Sequence, residues 1–228
     1  MINFLDKSVT LSDMSFRMRN LAPSLIVFMA LPISLSLVRL LLATTDSYVY
    51  LNWNLFLALL PVLFAWLYVK NLGGKWVGIL WFLLWLGFLP NAPYLITDLI
   101  HLAEVGPRSL IWFDSLMLFG YAWIGMLAWL ISVRMMYEKI ATRSFIPVIS
   151  FLTALGIFVG RYIRHNTWDM VTRPFDVLKT FISFLEAPLS HQPLLGFVLV
   201  FWLFLMFSYL GYSNIHLWAP PQKIKQGD

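Results

Sequence analysis

Two pairs of side chains stand at a spacing that puts both members on one helix face: Asp98 with His101, and Arg161 with Arg164. A carboxylate beside an imidazole suits proton transfer or metal ligation. Two planar guanidinium forks suit a phosphate or carboxylate group. Further polar residues lie close to each pair in the chain. Asn91 and Thr97 precede Asp98 in the stretch LPNAPYLITDLIHL, Leu89 to Leu102, and His165, Trp168 and Asp169 follow Arg164. Asp114 stands alone between the two groups, in WFDSLML. The candidate ligand-binding residues are therefore Asn91, Thr97, Asp98, His101, Asp114, Arg161, Arg164, His165, Trp168 and Asp169.

Each chemistry has a plainer competitor. A metal held by Asp98, His101 and Asp169, with Asp114 or His165 as further donors, would draw ligands from separate segments, because the chain has no HxxxH or HExxH pair. No cofactor motif is present, and none is expected. Arg161 could simply close a structural ion pair while Arg164 reaches up to the membrane surface. Serine chemistry has no GxSxG to support it, and the absence of cysteine removes disulfides, thiolate metal sites and thiol catalysis.

The elements that position these residues follow from composition. The chain is 60% hydrophobic and only 12% charged, against about 25% charged in soluble domains. Several apolar runs approach the roughly 20 residues that a helix needs to cross a membrane. The expected fold is all-α, a polytopic integral membrane protein with six transmembrane helices over 21–43, 51–69, 76–102, 110–133, 145–163 and 194–212. These form one membrane domain, 21–214, between an N-terminal tail, 1–20, and a C-terminal tail, 215–228. The polar first twenty residues ahead of a long apolar run predict a retained signal anchor.

The third span is expected to be broken. From Trp76 to Leu89 a helix reaches only about 21 Å, so Pro90 and Pro93 fall inside the membrane or at its edge and deprive the carbonyls of Leu86 and Leu89 of helical partners. Neighbouring helices, water, a ligand or the Asn91 amide must satisfy them. Pro32 predicts a kink in the first span. Between the fifth and sixth spans, Phe175, Leu178, Ile182, Leu185 and Leu189 recur at spacings of three and four, which predicts an amphipathic helix lying in the interface. Gly156 and Gly160 form a GxxxG that predicts close helix packing within the fold.

Lys and Arg gather in one set of loops: Lys7, Arg17 and Arg19; Lys70 and Lys75; Arg134, Lys139 and Arg143; Lys223 and Lys225. The positive-inside rule then places both termini in the cytoplasm, the chain in the cytoplasmic (inner) membrane, and the polar candidates on the outer face. Basic residues so distributed report topology, not nucleic-acid binding. Asp114 falls roughly 6 Å inside its span, where an isolated carboxylate is costly. It is expected to pair with Arg161 or with Arg39.

LPNAPYLITDLIHL, WFDSLML, GRYIRHNTWD and the following RPFDVL together resemble the signature blocks of a family of bacterial and archaeal integral membrane proteins of unknown function. The resemblance runs from the third span onward and implies a shared multi-span fold without assigning a reaction. The leading functional expectation is an outward-facing polar pocket that binds or helps translocate a small polar or anionic ligand, or a lipid headgroup. Arg161, Arg164 and Asn91 would be its contacts, Asp114 the internal counter-ion, and Asp98 and His101 its mouth. The alternatives are a membrane-embedded enzyme acting on a lipid-linked or periplasmic substrate, with Asp98 or His101 as general base, and an assembly partner without pocket chemistry.

Overall fold

The computed structural model describes residues 11–42, 48–71, 73–103, 108–163, 175, 179 and 192–215. Among these residues every regular element is helical: α1 Leu11–Leu42, α2 Tyr50–Val69, α3 Gly74–Phe88, α4 Asn91–Thr97, α5 Ile111–Ile140, α6 Phe145–Phe158 and α7 Gln192–Ile215. A 3₁₀ segment, Asp98–Ala103, extends α4, and a π-helical turn, Val159–Ile163, extends α6. Among the described residues, five stretches are long and apolar enough to cross a membrane: Tyr50–Val69, Gly74–Leu102, Ile111–Ile140, Phe145–Tyr162 and Leu195–Ser213. α1 contributes a shorter apolar stretch, Ile26–Leu42.

α5 is the central post. Of its apolar stretch 72% is buried inside the protein, against 17% for α7, whose Phe207 and Val200 face outward as lipid-facing residues do. α1, α2 and α4 all pack on α5. α6 and α7 pack on each other around Ala154, Leu155, Phe158 and Val198, a cluster separate from the main core.

The third span breaks where its two prolines require. α3 stops at Phe88 and α4 starts at Asn91. The Asn91 side-chain amide donates to the Phe88 carbonyl at 3.0 Å, the Ala92 N–H reaches Leu89 O at 3.3 Å, and the Tyr94 N–H reaches Pro90 O at 3.1 Å. Of the two carbonyls that the prolines deprive, Leu89 O takes the Ala92 N–H, while the Asn91 amide bonds a third, that of Phe88. Two glycines clamp the break from either side. A Cβ at Gly125 of α5 would run into the Ala92 carbonyl oxygen, and one at Gly156 of α6 would run into the Pro90 ring. The GxxxG of α6 is accordingly an internal packing device at Gly156.

Several details differ from what periodicity suggests. α1 begins at Leu11, so the second half of the expected N-terminal tail is helical. It continues through Pro32, which packs against Gly120 of α5. α5 runs on to Ile140, past the expected end at Val133, because Met135 and Met136 remain buried and Arg134 pairs with Glu138 one turn later at 2.7 Å. Apart from Phe175 and Lys179, which are helical and exposed, the expected interfacial helix after the fifth span lies outside the described residues, as do the two extreme tails.

The glycine clamp can be tested by substitution. Gly125→Ala and Gly156→Ala should each lower the thermal unfolding midpoint of the detergent-solubilised protein by the equivalent of about 1–3 kcal/mol of overpacking. Gly78→Ala, where a Cβ meets open space, should leave the midpoint unchanged or raise it.

Candidate functional site

The end of α1, the start of α2, the α4–3₁₀ segment, the start of α5 and the end of α6 meet at one end of the bundle. Among the described residues, two ion pairs form there. Arg39 grips Asp114 with two bonds, Nε to Oδ1 at 2.6 Å and Nη2 to Oδ2 at 3.2 Å. Arg161 Nη1 donates to Asp98 Oδ1 at 2.9 Å. Asp98 and Asp114 are each 1% exposed and Arg39 3%, so these are interior pairs. Asp114 takes Arg39, and Arg161 goes to Asp98.

Arg161 is the most heavily engaged side chain of the set. Besides Asp98, Nη1 reaches the Tyr94 hydroxyl at 3.1 Å, and the guanidinium stands 5.5 Å from the Tyr94 ring centroid. Nη2 donates to the Thr97 carbonyl at 3.1 Å and meets His101 Nε2 at 3.0 Å. The Thr97 carbonyl closes α4, where the last carbonyls of a helix lack N–H partners and a cation is welcome. Arginine is always a donor, so His101 must accept at Nε2 and carry its proton on Nδ1. The π-helical turn Val159–Ile163 is what aims Arg161 at α4, since one extra residue in the turn rotates its side chain away from the ordinary helical register.

Residues not singled out by the sequence complete the cluster. Asn54 donates to Asp98 Oδ2 at 3.2 Å, so both oxygens of that carboxylate are bonded. The Tyr50 ring meets His101 edge-on, with centroids 6.0 Å apart. Beside them, the Tyr121 hydroxyl, Asn52 and Ser36 form a network linking α5, α2 and α1, with Tyr121 donating to Asn52 Oδ1 at 2.7 Å. The two amides in the sequence LNWNL, at the opening of an otherwise apolar span, are the signal that could have drawn attention to α2. Tyr48, just before α2, lies under Arg39 with its ring centroid 5.7 Å away. Burial, and then the neighbouring Asp114 carboxylate, hold its phenol above the ordinary value, so the hydroxyl stays protonated.

Of the ten candidates from sequence, the structure brings Thr97, Asp98, His101 and Arg161 into one contact set. It places Asp114 in the neighbouring pair with Arg39 and ties the Asn91 amide to the helix break. Arg164, His165, Trp168 and Asp169 lie outside the described residues. Among the described residues, no three His, Asp or Glu side chains gather as metal ligands would. Ser115 spends its hydroxyl on the Ile111 carbonyl at 2.6 Å, as a helical serine commonly does.

Breaking one partner of a buried pair leaves an uncompensated charge, whereas replacing both removes the problem. Asp98→Ala should cost about 3–5 kcal/mol of stability. The double variant Asp98→Leu with Arg161→Met should recover most of that loss, as measured by thermal or denaturant unfolding in detergent. Equal damage from the single and double variants would show that Arg161 is not balanced chiefly by Asp98.

No curated protein and no solved structure matches this chain. The model of a family described as proteins of unknown function, DUF1361, matches residues 53–208, a region that begins within α2, one span earlier than the sequence blocks suggest. The chain belongs to that family, and is a membrane protein with several apolar spanning helices.

Proposed function

We propose that the polar end of the bundle faces the outer side of the cytoplasmic membrane and binds a small polar or anionic ligand, or a lipid headgroup. One observation carries this reading. Two arginine–aspartate pairs and an imidazole are drawn to the same end of the bundle, inside or at the edge of its spanning helices, where buried ion pairs add little to stability and ionisable groups are otherwise avoided. Exposed Trp53, Trp112 and Tyr50 at this end fit an aromatic belt at a membrane–water interface.

The roles within the site shift from the simplest expectation. Asp98 serves as the counter-ion of Arg161 and not as part of the mouth. Arg161 and His101, both partly exposed, form the lip that a ligand would meet, with Arg164, His165, Trp168 and Asp169 following in the chain. Asp114 serves the Arg39 pair. Binding is favoured over translocation because the charged groups of this site do not continue along the described helices. Near the middle of the bundle the polar contacts reduce to such pairs as Trp129 Nε1 on Thr153 Oγ1 at 3.2 Å. The enzyme reading loses ground for a chemical reason. Both Asp98 oxygens are occupied and His101 Nε2 accepts from Arg161, so neither is poised to take a proton from a substrate.

Thermal unfolding of purified protein with inorganic phosphate, sulfate, short carboxylates or glycerol phosphate tests the reading. One of these should raise the midpoint in a saturable way, by the equivalent of about 2.7 kcal/mol at a hundredfold excess over its Kd. His101→Gln, which keeps an acceptor for Arg161, should fold normally and bind more weakly. A midpoint unmoved by every member of the series would sink the proposal.

A further inference from the structure

The two ends of the bundle balance their charges differently. At the end already described, Arg39 is matched by Asp114 and Arg161 by Asp98. At the opposite end, where α2 and α5 finish and α3 and α6 begin, Arg134 pairs with Glu138. Lys70, Lys75, Lys139 and Arg143 are exposed there and, among the described residues, have no acidic partner. The chain contains no acidic residue between Asp46 and Asp98, so the α2–α3 hairpin has no counter-charge of its own.

The fold brings two of these cations together. Lys70 directly follows α2, and Lys75 is the second residue of α3. Between them the chain reverses through left-handed positions, Asn71 at φ 52° and Gly73 at φ 101°. Phe64 on Trp81 and Tyr68 on Phe82 hold the two helices side by side, so both lysines stand at the tip of one hairpin. The helix dipole accounts for Lys139, in the last turn of α5, but not for Lys75, which lies in the first turn of α3, where a cation is disfavoured. The Lys70 ammonium is drawn back to 5.9 Å from the ring centroid of Trp66, one turn towards the hydrocarbon. Trp76, 80% exposed, flanks Lys75, and indoles in such positions lie at the headgroup level. One to two turns below the lysines, Leu63 of α2 and Ile79 and Leu83 of α3 are exposed. Cations, indoles and apolar surface follow one another in the order in which a phospholipid presents its phosphate, interface and acyl chains.

We propose that the tip of the α2–α3 hairpin binds an anionic phospholipid of the leaflet it faces, with Lys70 and Lys75 on the phosphate and the acyl chains against the exposed apolar surface of the two helices. A lipid fits better than a soluble anion, because Lys70 is held back against an indole and not extended into water. This goes beyond the ligand proposed above, which sits at the opposite end of the bundle and uses none of these residues.

The test uses the full chain in nanodiscs holding equal amounts of phosphatidylglycerol and phosphatidylethanolamine with the same acyl chains, read by native mass spectrometry after detergent washing. Phosphatidylglycerol should be retained about twentyfold better, at roughly fivefold for each lysine near an anionic headgroup. Lys70→Gln with Lys75→Gln should remove most of that preference, and Lys139→Gln should leave it in place. Should the double variant fail to fold or insert, phosphatidylglycerol with a photoreactive headgroup provides a second measure on the unaltered protein, and should label the peptide that spans Lys70 to Trp76. Equal retention of the two lipids, an unchanged preference in the double variant, an equal loss in Lys139→Gln, displacement of the lipid by inorganic phosphate, or labelling spread evenly over the loops would each overturn the proposal. The lysine variants leave the anion series at the other end unaffected, and His101→Gln leaves this lipid preference unaffected, so the two failures are distinguishable.

Discussion

A charge that leaves water must find its partners inside the protein, and this requirement organises one end of the bundle. Arg161 meets it with a carboxylate, a hydroxyl, a backbone carbonyl and an imidazole nitrogen, drawn from one stretch of chain between Tyr94 and His101. That stretch can offer them only because α3 has been interrupted and the chain tightened into α4 and a 3₁₀ segment. A continuous helix would turn part of this set away and keep the Thr97 carbonyl for itself. The helix break and the charge cluster are two aspects of one construction.

The break in turn depends on residues that carry no charge. Two prolines remove hydrogen bonds, and an asparagine between them adds one to the Phe88 carbonyl. Gly125 and Gly156 then let α5 and α6 approach the interrupted backbone more closely than any side chain permits. Packing, backbone chemistry and electrostatics here impose the same geometry.

Much of this geometry is legible in the amino-acid sequence. Membrane character, the broken third span and the gathering of polar residues at one end follow from apolar run lengths and proline positions, since the bilayer imposes a length and a polarity on every segment. Depth alone narrows the partner of Asp114 to two arginines. Which of the two it takes depends on how helices rotate about their axes, and run lengths carry no information on that. The π-helical turn that aims Arg161 leaves only a weak mark in the sequence, a glycine at position 160. Asn54 escapes notice for a related reason: an isolated amide in an apolar run acquires meaning only when its neighbour across the interface is known. The extension of α5 through Met135 and Met136 is hidden because charged residues on its exposed side resemble a loop.

The separate cluster between α6 and α7 bears on how the bundle is held together. These two helices share a local cluster, with the Trp202 indole on the Pro147 carbonyl at 2.9 Å, and also enter the main core through Phe145, Ile146, Ile149, Leu205 and Tyr209. Their contacts with the rest of the bundle include Gly156 at Pro90, Phe145 stacked on Trp85 of α3, packing against α5, and Arg161 on Asp98. Arg161 works as a latch whose keeper is the α4–3₁₀ stretch itself, so a third span broken at any other point would leave this guanidinium without its partners.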